Sequence, residues 1–394
     1  VPALLLTVLL SGMGFGLVLP GFPFVAQRLG APGWLAPVIV GLYALGQFLA
    51  TPVWGRLSDR FGRKPLLIAS LCGAFVGHLT VALAPNLAVL AAGRLLTGLT
   101  GGNLPVAMAY AADISAPEDR ARVMGRVGAA LSLGFILGPL LGGVLGGSDA
   151  GGATLLWPGL AAAGVCLVAI AAAARFLRES LAPGQRSRPA AGGAPAGPGA
   201  FRAVVARPAL ARVLLVGFLA YLAMALFETI FPFWAGDRYQ WGPREIGFSF
   251  TYLALLVVVV QGLLVGRLVA YFGEVRLLTG GLVSYAFGLL VMTQAPAWPV
   301  MLVGITFTTV GSALYMTTMN SLVSKQAGDT ERGLVLGAFN SASWAGRTLG
   351  PPATGALFSF VAHDAPLYAG AVIMVACIAV LQGVVGAAPR RGGR

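Results

Sequence analysis

The 394-residue chain is 57% hydrophobic and only 10% charged, with a mean hydropathy of +0.85; soluble domains carry about 25% charged residues. That excludes a soluble globular protein. Cys72, Cys166 and Cys377 lie inside apolar runs, and His78 and His363 belong to no ligand cluster, so no disulfide framework, metal site or catalytic cofactor is expected.

The apolar runs are commonly twenty residues or longer, enough to cross about 30 Å of hydrocarbon as helices. Split at charges and at Gly/Pro punctuation, they predict about twelve spans. Six fall near 3–26, 35–55, 65–84, 87–112, 123–146 and 154–176, and six near 211–235, 246–270, 275–294, 298–323, 333–360 and 366–387. Val1 stands at the edge of the first run, which predicts a short piece preceding it; the run is not read as a cleaved signal. Residues 178–209 are rich in Pro, Gly and Ala with scattered arginines and read as a flexible linker. The linker separates an N-terminal six-helix bundle, 1–177, from a C-terminal one, 210–394.

The net charge of +13 is a topology signal before it is anything else, and a nucleic-acid partner is not expected. Of 26 Lys and Arg, 21 fall in alternate loops, the linker and the tail, while Arg28, Arg238 and Arg244 fall on the other side. Both termini are therefore expected in the cytoplasm. The remaining two, Arg94 and Arg347, lie within spans.

The halves repeat. Gly55-Arg-Leu followed by Phe61-Gly62 recurs as Gly266-Arg-Leu followed by Phe272-Gly273, and Ala84-Pro85 recurs as Ala295-Pro296, both 211 residues on. Gly125, Gly134 and Gly138-Pro139 recur as Gly337, Gly346 and Gly350-Pro351, 212 residues on. A duplication explains these anchors.

Several motifs carry more than packing. Residues 125–143 place Gly125, Gly134, Gly138, Pro139, Gly142 and Gly143 in the pattern Gx8Gx3GPx2GG. A soluble helix does not tolerate that many breakers, and a membrane helix uses small residues for close approach. Residues 55–65, with Gly55, Asp59, Arg60, Gly62, Arg63 and Lys64, form a loop whose acidic residue stands among basic ones; an ordinary basic loop explains the arginines alone. Arg94 with Gly98 lies in the fourth span, where an arginine either faces a cavity or partner or snorkels to an interface. Asp113 and Arg120 follow it, with Glu118 and Asp119 as candidate caps of the next helix.

Glu228 is the acidic residue placed well inside a span. Unpaired, it would be pushed toward its neutral form and suit a proton carrier; it could equally hold a cationic substrate or be locked to Arg347. Gln47, Asn103, Gln261, Asn320 and Asn340 are candidate cavity residues or interhelical hydrogen bonders. Phe227 and Phe231, with Phe233 and Trp234, read first as an interfacial aromatic belt and second as a drug-binding surface. His78 reads as structural.

These stretches resemble the major facilitator superfamily over the whole chain, most of all its proton-coupled drug antiporters, which include the tetracycline pumps. The resemblance implies an all-α integral membrane protein in which two pseudo-symmetric six-helix bundles form the major facilitator fold. It assigns the 55–65 loop to a conformational switch, in which Asp59 meets the start of helix 11 and Arg60 or Arg63 meets Asp113. Proton coupling falls to Arg94, and the 125–143 glycines become the antiporter signature of helix 5, read as a hinge sealing that helix against its neighbour across the interface. One departure stands out: tetracycline pumps carry an acidic residue in helix 1, and this chain has none there.

The expected function is secondary active efflux of small amphipathic or cationic compounds by alternating access, driven by the proton gradient without a cofactor. Glu228, Arg94 and Asp113 would couple the proton. The substrate cavity would be lined by Gln47, Asn103, Phe227, Glu228, Phe231, Gln261, Asn320, Asn340 and Arg347. The expected setting is the cell's inner (plasma) membrane, with the lipid bilayer as partner, as a monomer and not an enzyme. Two alternatives stay open: a transporter of an anionic or sugar-like metabolite, because two span arginines face one span glutamate, and a polytopic membrane enzyme or receptor.

Overall fold

The computed structural model describes residues 1–181, 204–326 and 331–385. Most of the expected linker, with Arg186, Arg188 and Arg202, and the tail residues Arg390, Arg391 and Arg394 lie outside the described residues. The described elements are helices, as a chain in hydrocarbon requires, because a helix satisfies its own backbone polar groups. Among the described residues, ten stretches are long and apolar enough to cross a membrane.

The first six expected spans appear as α1 (Pro2–Val18) continued by α2 (Phe22–Arg28), α3 (Leu35–Phe61), α4 (Arg63–Ala82), α5 (Leu87–Thr100) followed by α6 (Leu104–Asp113), α7 (Arg120–Gly146) and α8 (Leu156–Phe176). The fourth span, expected as one helix, is broken at Gly101-Gly102-Asn103, where two glycines weaken the helix and Pro105 favours a fresh start. The second six are α9 (Pro208–Tyr239), α10 (Pro243–Val259) joined by a π-type turn (Val260–Leu264) to α11 (Val265–Phe272), α12 (Glu274–Thr293), α13 (Trp298–Gln326), α14 (Arg332–Phe360) and α15 (Ala365–Val385).

Described residues within Val1–Ala191, together with Phe231–Ala254, make one compact unit; those within Gly192–Ile230 and Leu255–Arg394 make the other. In the first, α1 packs on α7 and α8, α3 on α5, and α4 on α5 and α8, around a core that includes Leu4, Leu67, Leu71, Val127 and Ala169. In the second, α12 packs on α13 and α15. The repeat reappears as geometry. A β-carbon on Gly93 would lie 3.2 Å from the Gly77 carbonyl, and one on Gly288 would lie 2.6 Å from the Gly304 carbonyl, the same pair 211 residues later. Lipid supplies no hydrophobic drive between helices, so such close backbone packing carries their association.

The α3–α4 and α11–α12 reversals are also copies. Gly62 has φ +105° and Gly273 φ +78°, both in the repeated Phe-Gly pair and both in a region where a β-carbon clashes. Gly55, expected in the 55–65 loop, lies inside α3 with nothing near its β-position, so the turn depends on Gly62. In the second unit, Arg207 donates twice to Glu331, at 2.6 and 2.9 Å, fixing the start of α9 to the N-cap of α14. That guanidinium holds the Glu331 carboxyl below the usual carboxylate range.

Candidate functional site

Gly346 and Gly350 set up the polar centre of the second unit. Their β-positions meet the Phe218 carbonyl and the Ala225 side chain, so α14 lies directly on α9. At that approach Arg347 Nη2 donates to Glu228 Oε2 at 2.6 Å. Glu228 is thus not the unpaired carboxylate that sequence reasoning weighed. The Arg347 and Glu228 side chains remain 34% and 41% exposed, so the pair is not sealed into the bundle. Phe227, one residue before Glu228, is buried with its ring edge-on to Tyr285 at 6.4 Å. Gln261, Asn320 and Asn340 are exposed, and the Asn320 amide donates to the Met316 carbonyl of its own helix. Phe231 belongs to the first unit, buried and edge-on to Phe250 at 5.7 Å.

The first unit holds the other span arginine. Gly98 makes its position possible: a β-carbon there would overlap the Tyr43 backbone, so α5 sits against α3. One turn earlier, Arg94 is 3% exposed, with its guanidinium 4.9 Å from the Phe22 ring, 5.0 Å from Tyr43 and 5.4 Å from Phe15. Its Nε donates to the Val40 carbonyl at 3.4 Å, and no carboxylate of the described residues pairs with it. Three ring faces supply the negative potential that an acid would otherwise give. The snorkelling alternative is therefore not what the side chain does. Beside it lies a cavity of about 90 Å³ bordered by Gln47, Asn103 and His78 among others. Gln47 donates to the Gly101 carbonyl at 3.3 Å and Asn103 to Ser11 Oγ at 3.5 Å, both at the break between α5 and α6.

At the α3–α4 turn Arg63 gathers the charged residues. It pairs with Asp59 at 2.6 Å and Asp113 at 3.3 Å, and donates to Ser58 Oγ. Of the two arginines expected to reach Asp113, Arg63 does; Arg60 instead lies over the Phe61 ring. Lys64 donates to the Ala174 carbonyl at 2.8 Å. Arg120 is exposed, and Asp119, at the N-cap of α7, binds Arg122 at 3.3 Å instead of capping through its side chain.

Sequence reasoning missed Glu179 and Ser180. Glu179 Oε1 accepts from the Arg63 backbone N–H at 2.9 Å and from the Ser180 and Leu181 N–H groups, while Ser180 Oγ donates to Asp113 at 3.0 Å. A carboxylate at the N-terminus of α4 is favoured there by the free N–H groups and the helix dipole. Neither residue had a local signal, because the contact spans 116 residues of chain.

The 125–143 glycines divide by neighbour. Gly134, Gly138 and Gly142 lie on α1, against the Leu9 carbonyl, Gly16 and the Leu17 carbonyl. Gly143 faces α10, its β-position 2.8 Å from the Pro243 carbonyl and 3.0 Å from Gly247 Cα. Thr251 of α10 donates to the Ile136 carbonyl at 3.3 Å. Gly125 has open space.

Comparison with known proteins agrees with this architecture. The sequence profile of the Major Facilitator Superfamily matches residues 4–269 and 213–392. The chain is 30% identical over 386 residues to the class C tetracycline resistance protein of Escherichia coli, covering 95% of this chain and 94% of that one. It is 27% identical to multidrug resistance protein 2 of Bacillus subtilis, covering 94% and 92%. Among solved structures, the human organic anion transporter MFSD10 aligns with a TM-score of 0.70 at 24% identity, covering 97% and 98%. The nucleoside transporter NupG aligns at 0.81 with 11% identity and the same coverage, a likeness of fold alone. With duplicated helical halves, a charged α3–α4 turn and an intramembrane arginine all present in one chain that the profile matches nearly end to end, the protein belongs to the Major Facilitator Superfamily, a family of multi-pass membrane transporters and not of enzymes.

Proposed function

We propose that this transporter exports small amphipathic or cationic compounds in exchange for protons, by alternating access. The observation that carries the reading is the partly exposed Glu228–Arg347 pair at 2.6 Å. In a low-dielectric surround the carboxylate needs a positive partner, and three candidates compete for it: Arg347, a proton, and a cationic substrate. A group that binds either proton or substrate, but not both, exchanges one for the other. Names of relatives in tetracycline and multidrug resistance support drug efflux as the direction. In this reading Arg94 and Asp113 modulate the coupling, and the Asp59–Arg63–Asp113 cluster is the conformational switch. The two bundles are residues 1–177 and 210–394, the protein works as a monomer in the inner membrane, and both termini face the cytoplasm.

The test is uphill export of ethidium or tetracycline from proteoliposomes under an imposed pH gradient. Glu228→Gln is expected to abolish gradient-driven export while leaving the protein inserted; export unchanged in that variant would remove Glu228 from the mechanism.

A second reading, transport of an organic anion, is favoured by one observation: Arg94 is buried without a carboxylate partner among the described residues. Competition by organic anions against a cationic dye separates the two.

A further inference from the structure

The repeat sets an aromatic residue of the first unit where the second unit has its arginine. Phe135 directly follows Gly134 and Arg347 directly follows Gly346, 212 residues apart. Arg347 pairs with Glu228. Phe135 instead borders the cavity of about 90 Å³ in the first unit, with its ring edge-on to Phe15 at 5.9 Å and Phe15 in turn 4.5 Å from the Tyr43 ring. Among the described residues no Asp, Glu, Lys or Arg borders that cavity. Where the second unit offers charges, the first offers rings.

Polar atoms on the wall narrow the ligand further. Gln47 of α3 gives an amide hydrogen to the Gly101 carbonyl; a carbonyl only accepts, so the nitrogen faces Gly101 and the amide oxygen turns away from it. Thr97 and Thr100 of α5 spend their hydroxyl hydrogens on the carbonyls of Arg94 and Leu96, at 2.8 Å each. What these three lining side chains keep for a ligand is chiefly accepting oxygen. A cationic ring is disfavoured, because Phe15 and Tyr43 already hold the Arg94 guanidinium at 5.4 and 5.0 Å and two cations would share the same rings. An anion is disfavoured too: accepting oxygens would face it, and Arg94 does not border the cavity. An uncharged group that donates a hydrogen bond meets neither objection. We propose that this cavity is a subsite for the phenol-like end of a substrate, a neutral aromatic ring whose hydroxyl donates to the Gln47 amide oxygen. A cavity of about 150 Å³ admits a whole benzene, so this smaller one takes the hydroxyl-bearing part of the ring. Phe135 is 39% exposed, which leaves that wall unsealed for the remainder.

The subsite names a substrate class for the export reading and, as part of a transport path, rests on it; binding itself does not. The test holds the ring constant and changes what it carries. Full-length protein in detergent is titrated with para-fluorophenol, para-fluoroanisole, para-fluorobenzoate and para-fluorophenyltrimethylammonium, followed by fluorine NMR against empty micelles. Fluorophenol is expected to bind about fivefold tighter than fluoroanisole, the worth of one hydrogen bond, and tighter than either charged ring. Gln47→Leu should erase the preference for fluorophenol over fluoroanisole, and Ala74→Phe, which fills the cavity, should remove binding of both. Fluoroanisole binding as tightly as fluorophenol, a charged ring binding best, or no saturable binding of fluorophenol overturns the proposal. Those comparisons use the unmutated protein, so misfolding of a variant does not obscure them. Ethidium export from proteoliposomes is measured in parallel. If gradient-driven export fails while fluorophenol binds as expected, the export reading falls and the subsite stands; if export proceeds and fluorophenol does not bind, the subsite alone falls.

Discussion

Lys325 donates to Glu274 at 2.8 Å, at the repeat positions where Arg63 donates to Asp113 in the first unit, with the signs reversed. Glu274 follows Arg63 by 211 residues and Lys325 follows Asp113 by 212, the offsets of the sequence repeat. A serine supports each copy: Ser58 accepts from Arg63, and Ser321 donates to Glu274 at 2.6 Å. The duplication kept a bonded pair at this turn and let its polarity invert, since an ion pair is indifferent to which helix brings the cation.

That inversion is testable by reversing it. Glu274→Arg sets two cations against each other and is expected to lower the thermal unfolding midpoint. Adding Lys325→Asp restores opposite charges in the polarity of the first unit and should recover most of the loss, a coupling of about 1 kcal/mol for a partly exposed pair. A double variant no more stable than Glu274→Arg alone would show that the two residues do not act as a pair.

The Glu228–Arg347 pair separates stability from coupling. Arg347→Gln leaves a partly buried carboxylate without its cation and is expected to cost about 1–3 kcal/mol. Glu228→Gln in the same chain removes that penalty, so the double variant should unfold at a higher temperature than Arg347→Gln. The double variant should not regain gradient-driven export, because without Glu228 no group is left that exchanges its cation for a proton. Thermal unfolding of purified protein and dye export measured side by side decide this, and a double variant less stable than the single one contradicts the pairing.

Features that repeat along the chain were the ones legible in the sequence. Apolar runs, the asymmetry of Lys and Arg, the duplication and the glycine pattern pointed to the helices and their order, because bilayer thickness and backbone satisfaction leave a spanning segment few choices. Glu228 and Arg347 stood out as charges inside spans, and their pairing was one of the alternatives left open. What escaped were relations between distant residues. Glu179 at the end of α8 looks like any post-helix acid until α4 is placed beside it. Phe227 reads as a belt residue, yet helix rotation buries it against Tyr285. The break at Gly101–Asn103 had a local signal in two glycines and a nearby Pro105, outweighed by the continuous apolar run around it.

Glu179 is expected to act as a cap that a remote segment lends to α4. Glu179→Ala removes the acceptor of the Arg63 N–H and should destabilise the protein by about 1 kcal/mol, the usual worth of an N-terminal cap. Glu179→Gln keeps an acceptor but loses the charge–dipole attraction, and its loss should be smaller. Thermal midpoints of the two variants in detergent give the order; equal midpoints for Ala and the unmutated chain would show that the cap carries no stability.

The glycines of α7 should respond to alanine according to what each one faces. At Gly142 the added methyl would overlap the Leu17 carbonyl, a backbone atom of α1 that cannot swing aside, so Gly142→Ala is expected to force the helices apart at a cost of about 1–3 kcal/mol. Gly138→Leu meets the Met13 carbonyl and Gly16 in the same way with a larger side chain, and should abolish transport. Gly125 has nothing within 4 Å, so Gly125→Ala should be neutral or should stabilise α7 by up to about 1 kcal/mol through helix propensity. Gly143→Ala presses on Pro243 and Gly247 of α10 while sparing α1, and its expected signature is slowed export with a smaller change in midpoint than Gly142→Ala. Midpoints and export rates of the four variants would contradict this division if Gly125→Ala proved as damaging as Gly142→Ala, since the signature would then act through something other than the contacts each glycine makes.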